Sequence, residues 1–292
     1  MHEVVAGTVV GMVHPGEMGA SVAGALVAQG VRVIWASEGR SEHSHRRAQA
    51  AGLEDAGSLE QLANAADIIV CVGPPDQAAT VARAAASASF HGLYVDANAV
   101  APATAQGIQA IVEAGGASFV DGDLIGGPTR VGGSTRLYLS GPEAARVAAL
   151  FVGSDRVEVV VLGRDTTTAS ALKMCYAAWT KTSAALLLAV RSAAQAMDVE
   201  AALLAEWERS QPDLAARMEV AERAVPKAWR FAGEMHEIAR AFTDADAAGA
   251  GFADAAAKVF ESLAEFKDAE RFELNAVLGA LGPQAAHTSS PS

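Results

Sequence analysis

Residues 165–197 read DTTTASALKMCYAAWTKTSAALLLAVRSAAQAM, 33 positions without a glycine or a proline. As one unbroken helix this stretch is about 50 Å long, more than a single small domain needs. Leu172, Tyr176, Trp179, Leu186, Val190 and Met197 recur along it at threes and fours or their sums, which is one apolar helical stripe. Lys173 stands beside the stripe near its N-terminal end, among the small residues Thr168, Ala169, Ser170, Ala171 and Ala177. Close packing there presses its ammonium toward a cleft. The chain ahead of this helix patterns as α/β and the chain after it as all helix. The stretch is therefore expected to join two domains, with Lys173 at the join.

Length and composition agree with two cores: 292 residues, 51% hydrophobic and 19% charged. A net charge of −12 argues against non-specific nucleic-acid binding and against an anionic membrane surface. Cys71 and Cys175 lie in apolar surroundings far apart in sequence, so neither a disulfide framework nor a metal site is indicated, and a reducing cytoplasm fits. The N-terminus MHEVVAGTVV has no basic leader, and no segment reaches ~18 uninterrupted apolar residues, so neither export nor membrane insertion is expected.

Thr8 to Val13 is a β-branched run followed by His14, Pro15, Gly16, Glu17, Met18 and Gly19, then by a helical pattern ending at Gly30. Strand, glycine turn, helix and terminal glycine open a dinucleotide-binding βαβ unit, in which the helix amides face a pyrophosphate. Gly11 lies in the strand. His14 stands where G-x-G-x-x-G would have its first glycine, which leaves Gly16 for close approach to phosphate and Gly19 for helix packing. Val31 to Ala36 is the second strand, and the residues after it choose the cofactor. Both signals are present there: Glu38 suits the ribose hydroxyls of NAD, while Ser37, Arg40 and Ser41 suit the 2′-phosphate of NADP. NADP is favoured, because Arg40 and Ser41 are adjacent and Arg46 and Arg47 follow on the next helix.

Asp67 to Val72 is an apolar strand closed by Gly73, Pro74 and Pro75; Leu93 to Ala97 is another, with Asn98 at its end. Ligands of open parallel sheets bind outside the carboxyl ends of strands, which puts these residues among the candidate cofactor contacts. Asn98 reads equally well as a helix cap before Pro102. Ser118 to Val120 is a short strand leading into the segment Asp121–Gly127. In that segment the exposed amides of Gly126 and Gly127 could hold a carboxylate or other oxyanion, although a simple turn explains them too. Strands over 136–140 and 156–162 complete the sheet. Beyond the long helix, five helical patterns follow, and the cluster around His236 is a candidate for the substrate side. The domains are expected at 1–163 for dinucleotide binding and 164–282 for a helical dimerisation and substrate domain, with a disordered tail over 283–292.

The order of these parts resembles the β-hydroxyacid dehydrogenase superfamily, which includes 6-phosphogluconate and 3-hydroxyisobutyrate dehydrogenases and imine reductases. The helical half, with ASALKMCYAAWTK, KAWRFAGEMHEIA and AEFKD, looks like an uncharacterised 6-phosphogluconate-dehydrogenase-like branch. The resemblance implies an N-terminal Rossmann-type α/β domain and an all-α C-terminal domain joined by the long helix. It also implies homodimers with interleaved helical halves. By this resemblance a glycine-rich turn binds NAD(P), here at Gly11, Gly16, Met18 and Gly19; a D-x-P-x-S-G-G segment holds a substrate carboxylate, here Asp121 to Gly127, which makes Asp123, Ile125, Gly126 and Gly127 candidate substrate contacts; and a lysine at the start of the interdomain helix, here Lys173, is the general acid/base. His14 replaces a glycine of the pattern, Ile125 replaces its serine, and Tyr176 and Ala177 stand where family members have asparagine.

Without a metal-protease, Walker or nucleophile-elbow motif, hydride transfer fits best, because a nicotinamide supplies the chemistry and the protein adds orientation and one proton donor. Burial of Lys173 would lower its pKa and poise it as that donor, with Tyr176 one turn on as a second. The leading expectation is an NADP-dependent oxidoreductase interconverting a carbonyl and an alcohol on a small molecule. An imine reductase or reductive aminase is the alternative, although imine reductases usually lack the lysine. A third reading is a cofactor-binding protein without turnover.

Overall fold

The β-branched runs of the first half assemble into one eight-stranded sheet in the computed structural model of the chain, which describes residues 7–129 and 132–282. The strands are β1 (Val9–Met12), β2 (Arg32–Ala36), β3 (Glu54–Gly57), β4 (Ile68–Cys71), β5 (Leu93–Asp96), β6 (Ser118–Ile125), β7 (Thr135–Ser140) and β8 (Val157–Gly163). Their lateral order is β3-β2-β1-β4-β5-β6-β7-β8. All neighbours are parallel except β6 and β7. The chain reverses direction across the sheet at β1, so the carboxyl ends of β1 and β4 form the switch point at which doubly wound sheets bind ligands.

Alternation along the central strands decides which helices cover which face. Val10, Met12, Ile68 and Val70 pack with α1 (Glu17–Ala28), α2 (Glu42–Ala50) and α6 (Ala144–Ala149). Ile69 and Cys71 turn the other way, onto α3 (Leu59–Ala65), α4 (Pro75–Ser87) and α5 (Pro102–Ala114). Each fully buried Leu or Ile here contributes roughly 1.5–3 kcal/mol by leaving water, so the two layers fix the sheet.

Two elements differ from the sequence reading. The stretch EDAG forms β3, although it lacks apolar alternation, because it is an edge strand whose support is pairing: Ile34 lies in register with Glu54, and Arg32 meets the Glu54 carboxylate at 2.8 Å. The strand starting at Ser118 runs on to Ile125 rather than ending at Val120. Asp121, Gly122 and Asp123, turn formers by composition, stay in the strand because β7 pairs with them and their carboxylates are met from outside the sheet.

The long helix, α7, spans Thr168–Ala196. The chain divides into two compact units, Met1–Met174 and Cys175–Ser292, so the first turns of α7 pack with the sheet unit. In the second unit, α7 is followed by α8 (Glu200–Ser210), α9 (Leu214–Ala224), α10 (Ala228–Asp244), α11 (Ala250–Glu261) and α12 (Leu274–Leu281). Met235, Ile238 and Phe260 are buried at the α10–α11 contact, Arg191 is paired with Glu200 at 2.6 Å, and the Ser192 hydroxyl donates to the Leu278 carbonyl at 2.8 Å. The tail expected to be disordered, 283–292, lies outside the described residues.

Candidate active site

Two clusters in the first unit carry the chemistry that the sequence singles out. The first is the turn between β1 and α1. Gly16 precedes the helix in an extended conformation and, as a glycine, supplies no side-chain cap. A Cβ on Gly16 would meet nothing within 4 Å, so the turn has an open side there, whereas a Cβ on Gly19 would stand 2.1 Å from the His14 carbonyl oxygen. Only glycine lets α1 close on the turn at that point.

His14 packs its ring on Gly73, and its Nδ1 is buried without a partner among the described residues. Burial, and then the Arg40 guanidinium, pull its pKa down to about 4, so the imidazole is neutral near pH 7. Arg40 reaches back from the end of β2: Nη2 lies 3.5 Å from the Val13 carbonyl, while Nε is buried and unpartnered among the described residues. Arg47 donates to the Pro15 carbonyl at 3.1 Å. Two guanidinium groups thus border the turn. Ser41 caps α2, accepting from Ser44 N, and the Ser37 amide donates to the Gly57 carbonyl. Glu17 is exposed and Met18 half-buried at the start of α1.

At the end of β4, Pro74 and Pro75 start α4, and the Gly73 amide donates to Asn98 Oδ1 at 2.6 Å. Asn98 is buried, and its Nδ2 contacts Asp96 Oδ1 and Cys71 Sγ. It braces two strand ends from below. It is not the helix cap, a position held by Ala101.

The second cluster joins β6 to the first turns of α7. Asp121, Asp123 and Ile125 share one face of β6, with Ser140, Tyr138 and Arg136 opposite them on β7. Asp121 Oδ2 accepts from Ser140 Oγ at 3.0 Å and from Ser170 N at 2.9 Å; its Oδ1 accepts from Ser170 Oγ at 2.6 Å. Ser140 Oγ accepts from Ala169 N at 3.0 Å. A buried carboxylate from a different element therefore caps α7 where the helix dipole favours an anion. Burial pushes the Asp121 carboxyl up to about 6, against the pull of these hydrogen bonds.

One turn further, Lys173 Nζ donates to Asp123 Oδ1 at 2.9 Å and to the Leu124 carbonyl at 2.6 Å, with its side chain 15% exposed. Asp123 is 1% exposed; Oδ1 also accepts from Leu124 N at 2.7 Å, and Oδ2 is buried without a partner among the described residues. Burial raises this carboxyl and the lysine opposes the rise.

Lys173 and Asp123, two of the residues singled out from sequence, thus meet directly. Ile125 is buried at the strand end, Gly126 takes a left-handed backbone (φ +117°), and the Gly127 carbonyl accepts from the Thr135 hydroxyl. Tyr176 is exposed on α7, and His236 is exposed on α10, 3.4 Å from Glu261. Both belong to the second unit. Sequence reasoning missed Ser140, Ser170 and the helix-capping role of Asp121. The signal was there as D-x-D on a strand and S-x-x-K on a helix, spacings that put each pair on one face.

Residues 9–151 match the NAD binding domain of 6-phosphogluconate dehydrogenase, and residues 194–263 match a domain of unknown function, DUF1932. An uncharacterised 28.5 kDa protein of Methanothermus fervidus is 30% identical over 181 residues, covering 62% of this chain and 69% of its own. A conserved protein of unknown function, whose structure revealed similarity with 3-hydroxyacid dehydrogenases, aligns with a TM-score of 0.65 at 26% identity, over 88% of this chain and 97% of its own. The 3-hydroxyisobutyrate dehydrogenase of Mycobacterium tuberculosis, solved with L-serine, aligns with a TM-score of 0.67 at 17% identity, over 94% of this chain and 99% of its own; that likeness concerns the fold.

Proposed function

The chain belongs to the family of the 6-phosphogluconate dehydrogenase NAD binding domain, and from that membership we propose that it is an NADP-dependent oxidoreductase interconverting a carbonyl and an alcohol. The observation that carries the reading is Lys173, a helix ammonium held at the end of β6 by Asp123 and the Leu124 carbonyl. A bound nicotinamide dinucleotide supplies the hydride. The turn suits it: Gly16 leaves room for a pyrophosphate at the helix N-terminus, and Arg40 Nε, without a partner among the described residues, offers a donor to a 2′-phosphate, with Ser41 next to it.

As the carbonyl carbon accepts hydride, Lys173 gives an N–H proton to the carbonyl oxygen; in oxidation the proton returns to the amine. Gly126 and Gly127 amides and the apolar Ile125 line the substrate end of β6 in this reading. Lys173 is also the feature that favours carbonyl over imine chemistry. The exposed apolar residues of α7 support a homodimer, and two free thiols, Cys71 and Cys175, suit a reducing compartment such as the cytoplasm. The test is a screen of carbonyls, imines and hydroxy acids for NADPH oxidation or NADP reduction. Turnover of imines alone, or cofactor binding without any turnover, overturns the assignment.

A further inference from the structure

An ammonium has three N–H donors, and two of those on Lys173 are already used, one on Asp123 Oδ1 and one on the Leu124 carbonyl. The Asp123 carboxylate also cancels the lysine's charge at close range. It stands at the position that D-x-P-x-S-G-G gives to proline, a residue with no carboxylate to offer. Among the described residues nothing else frees the lysine from it: Asp121 is committed to Ser140 and Ser170, and the next described cation on this face, Arg136, lies opposite Ile125, one strand pair further on. An anion approaching Lys173 Nζ must therefore displace a buried counter-charge, whereas a neutral oxygen needs only the remaining N–H.

We infer that Asp123 is a specificity-determining residue: it fills the anion seat at Lys173, so the group reduced there is an aldehyde or ketone with no carboxylate on the adjacent carbon, while any charge on the substrate lies further away. This rests on the reading of Lys173 as the proton donor, and it narrows the substrate class of that site.

The test compares glyoxylate with its ethyl ester, which share an aldehyde and differ in charge, as substrates for NADPH oxidation by the intact protein. In parallel, acetylation of Lys173 by acetic anhydride is followed by peptide mass spectrometry with and without malonate. The wild type is expected to favour the ester in kcat/KM by at least about tenfold, and malonate should not slow acetylation. Asp123→Asn keeps the shape and removes the charge; it should narrow or invert the preference and let malonate protect Lys173. Equal use of acid and ester by the wild type overturns the inference, as does malonate protection of the wild-type lysine. Should Asp123→Asn lower both substrates alike, the residue is only structural. If neither compound is reduced and malonate still fails to protect Lys173 in the wild type alone, the carbonyl-reductase reading falls while the filled anion seat stands.

Discussion

Lys173, Arg40 and His14 each make a separable claim on the chemistry. With Lys173→Ala, kcat for the carbonyl reaction should drop by ~10²-fold or more, the usual scale for a lost general acid or base. NADP affinity, measured by fluorescence titration, should stay the same, because the turn at Gly16 and Gly19 does not involve this side chain. A small loss with intact folding would move the donor role to Tyr176, and Tyr176→Phe would then carry the deficit. Arg40→Ala should weaken NADP by about tenfold, the scale of one or two charge-assisted hydrogen bonds, and leave NAD unchanged. Equal losses for both cofactors would point instead to the Val13 carbonyl contact as its purpose. His14 bears on stability. Its folded pKa of about 4 lies below the ordinary histidine value of 6.5, so the unfolded chain takes the proton more readily. The contribution is intact above about pH 6.5 and is lost as pH falls toward 4. His14→Gly should therefore lose less melting temperature than the wild type over that interval, which thermal melts at the two ends would show.

Between β6 and α7 the stabilisation is concentrated at one helix end. Asp121 and Ser140 satisfy the Ala169 and Ser170 amides, so Ser170→Ala, which removes one hydroxyl bond to a buried carboxylate, should cost about 1–3 kcal/mol. A melting temperature unchanged by that variant would show that the Ser170 hydroxyl adds nothing to the cap, which the Ala169 and Ser170 amides would then carry. Legibility from sequence differs between these elements for physical reasons. The stripe on α7 was visible because thirty-odd residues without a breaker repeat one period, and β1, β2 and β4 were visible because their side chains enter the core. β3 was not, since an edge strand of Glu, Asp, Ala and Gly depends on pairing that leaves no hydrophobic pattern. The extent of β6 was hidden for the opposite reason: its acids are buried, and their partners lie 19 to 50 residues away. The same distance hid Asn98, whose side chain serves Gly73 rather than the helix after it.

For the whole chain, the proposed homodimer rests on the exposed apolar residues of α7. Trp179 and Leu186 on this helix are 64% and 60% exposed, and Met197, just past its end, is 66% exposed, all large apolar groups left in water. A dimer is expected in sedimentation at micromolar concentration, and Trp179→Lys with Leu186→Lys should dissociate it; a monomeric, active wild type would contradict this. The seating of Lys173 also has a practical consequence for recombination. Asp121 and Asp123 are spaced by two strand residues, about 6.7 Å, and Ser170 and Lys173 by three helix residues, about 4.5 Å, so only one alignment of strand and helix satisfies both contacts. The lysine therefore travels with the nucleotide-binding module. A chimera of two relatives spliced in the loop before Thr168 would bring a foreign helix to these acids, while one spliced a turn beyond Lys173 would inherit the matched pair whole.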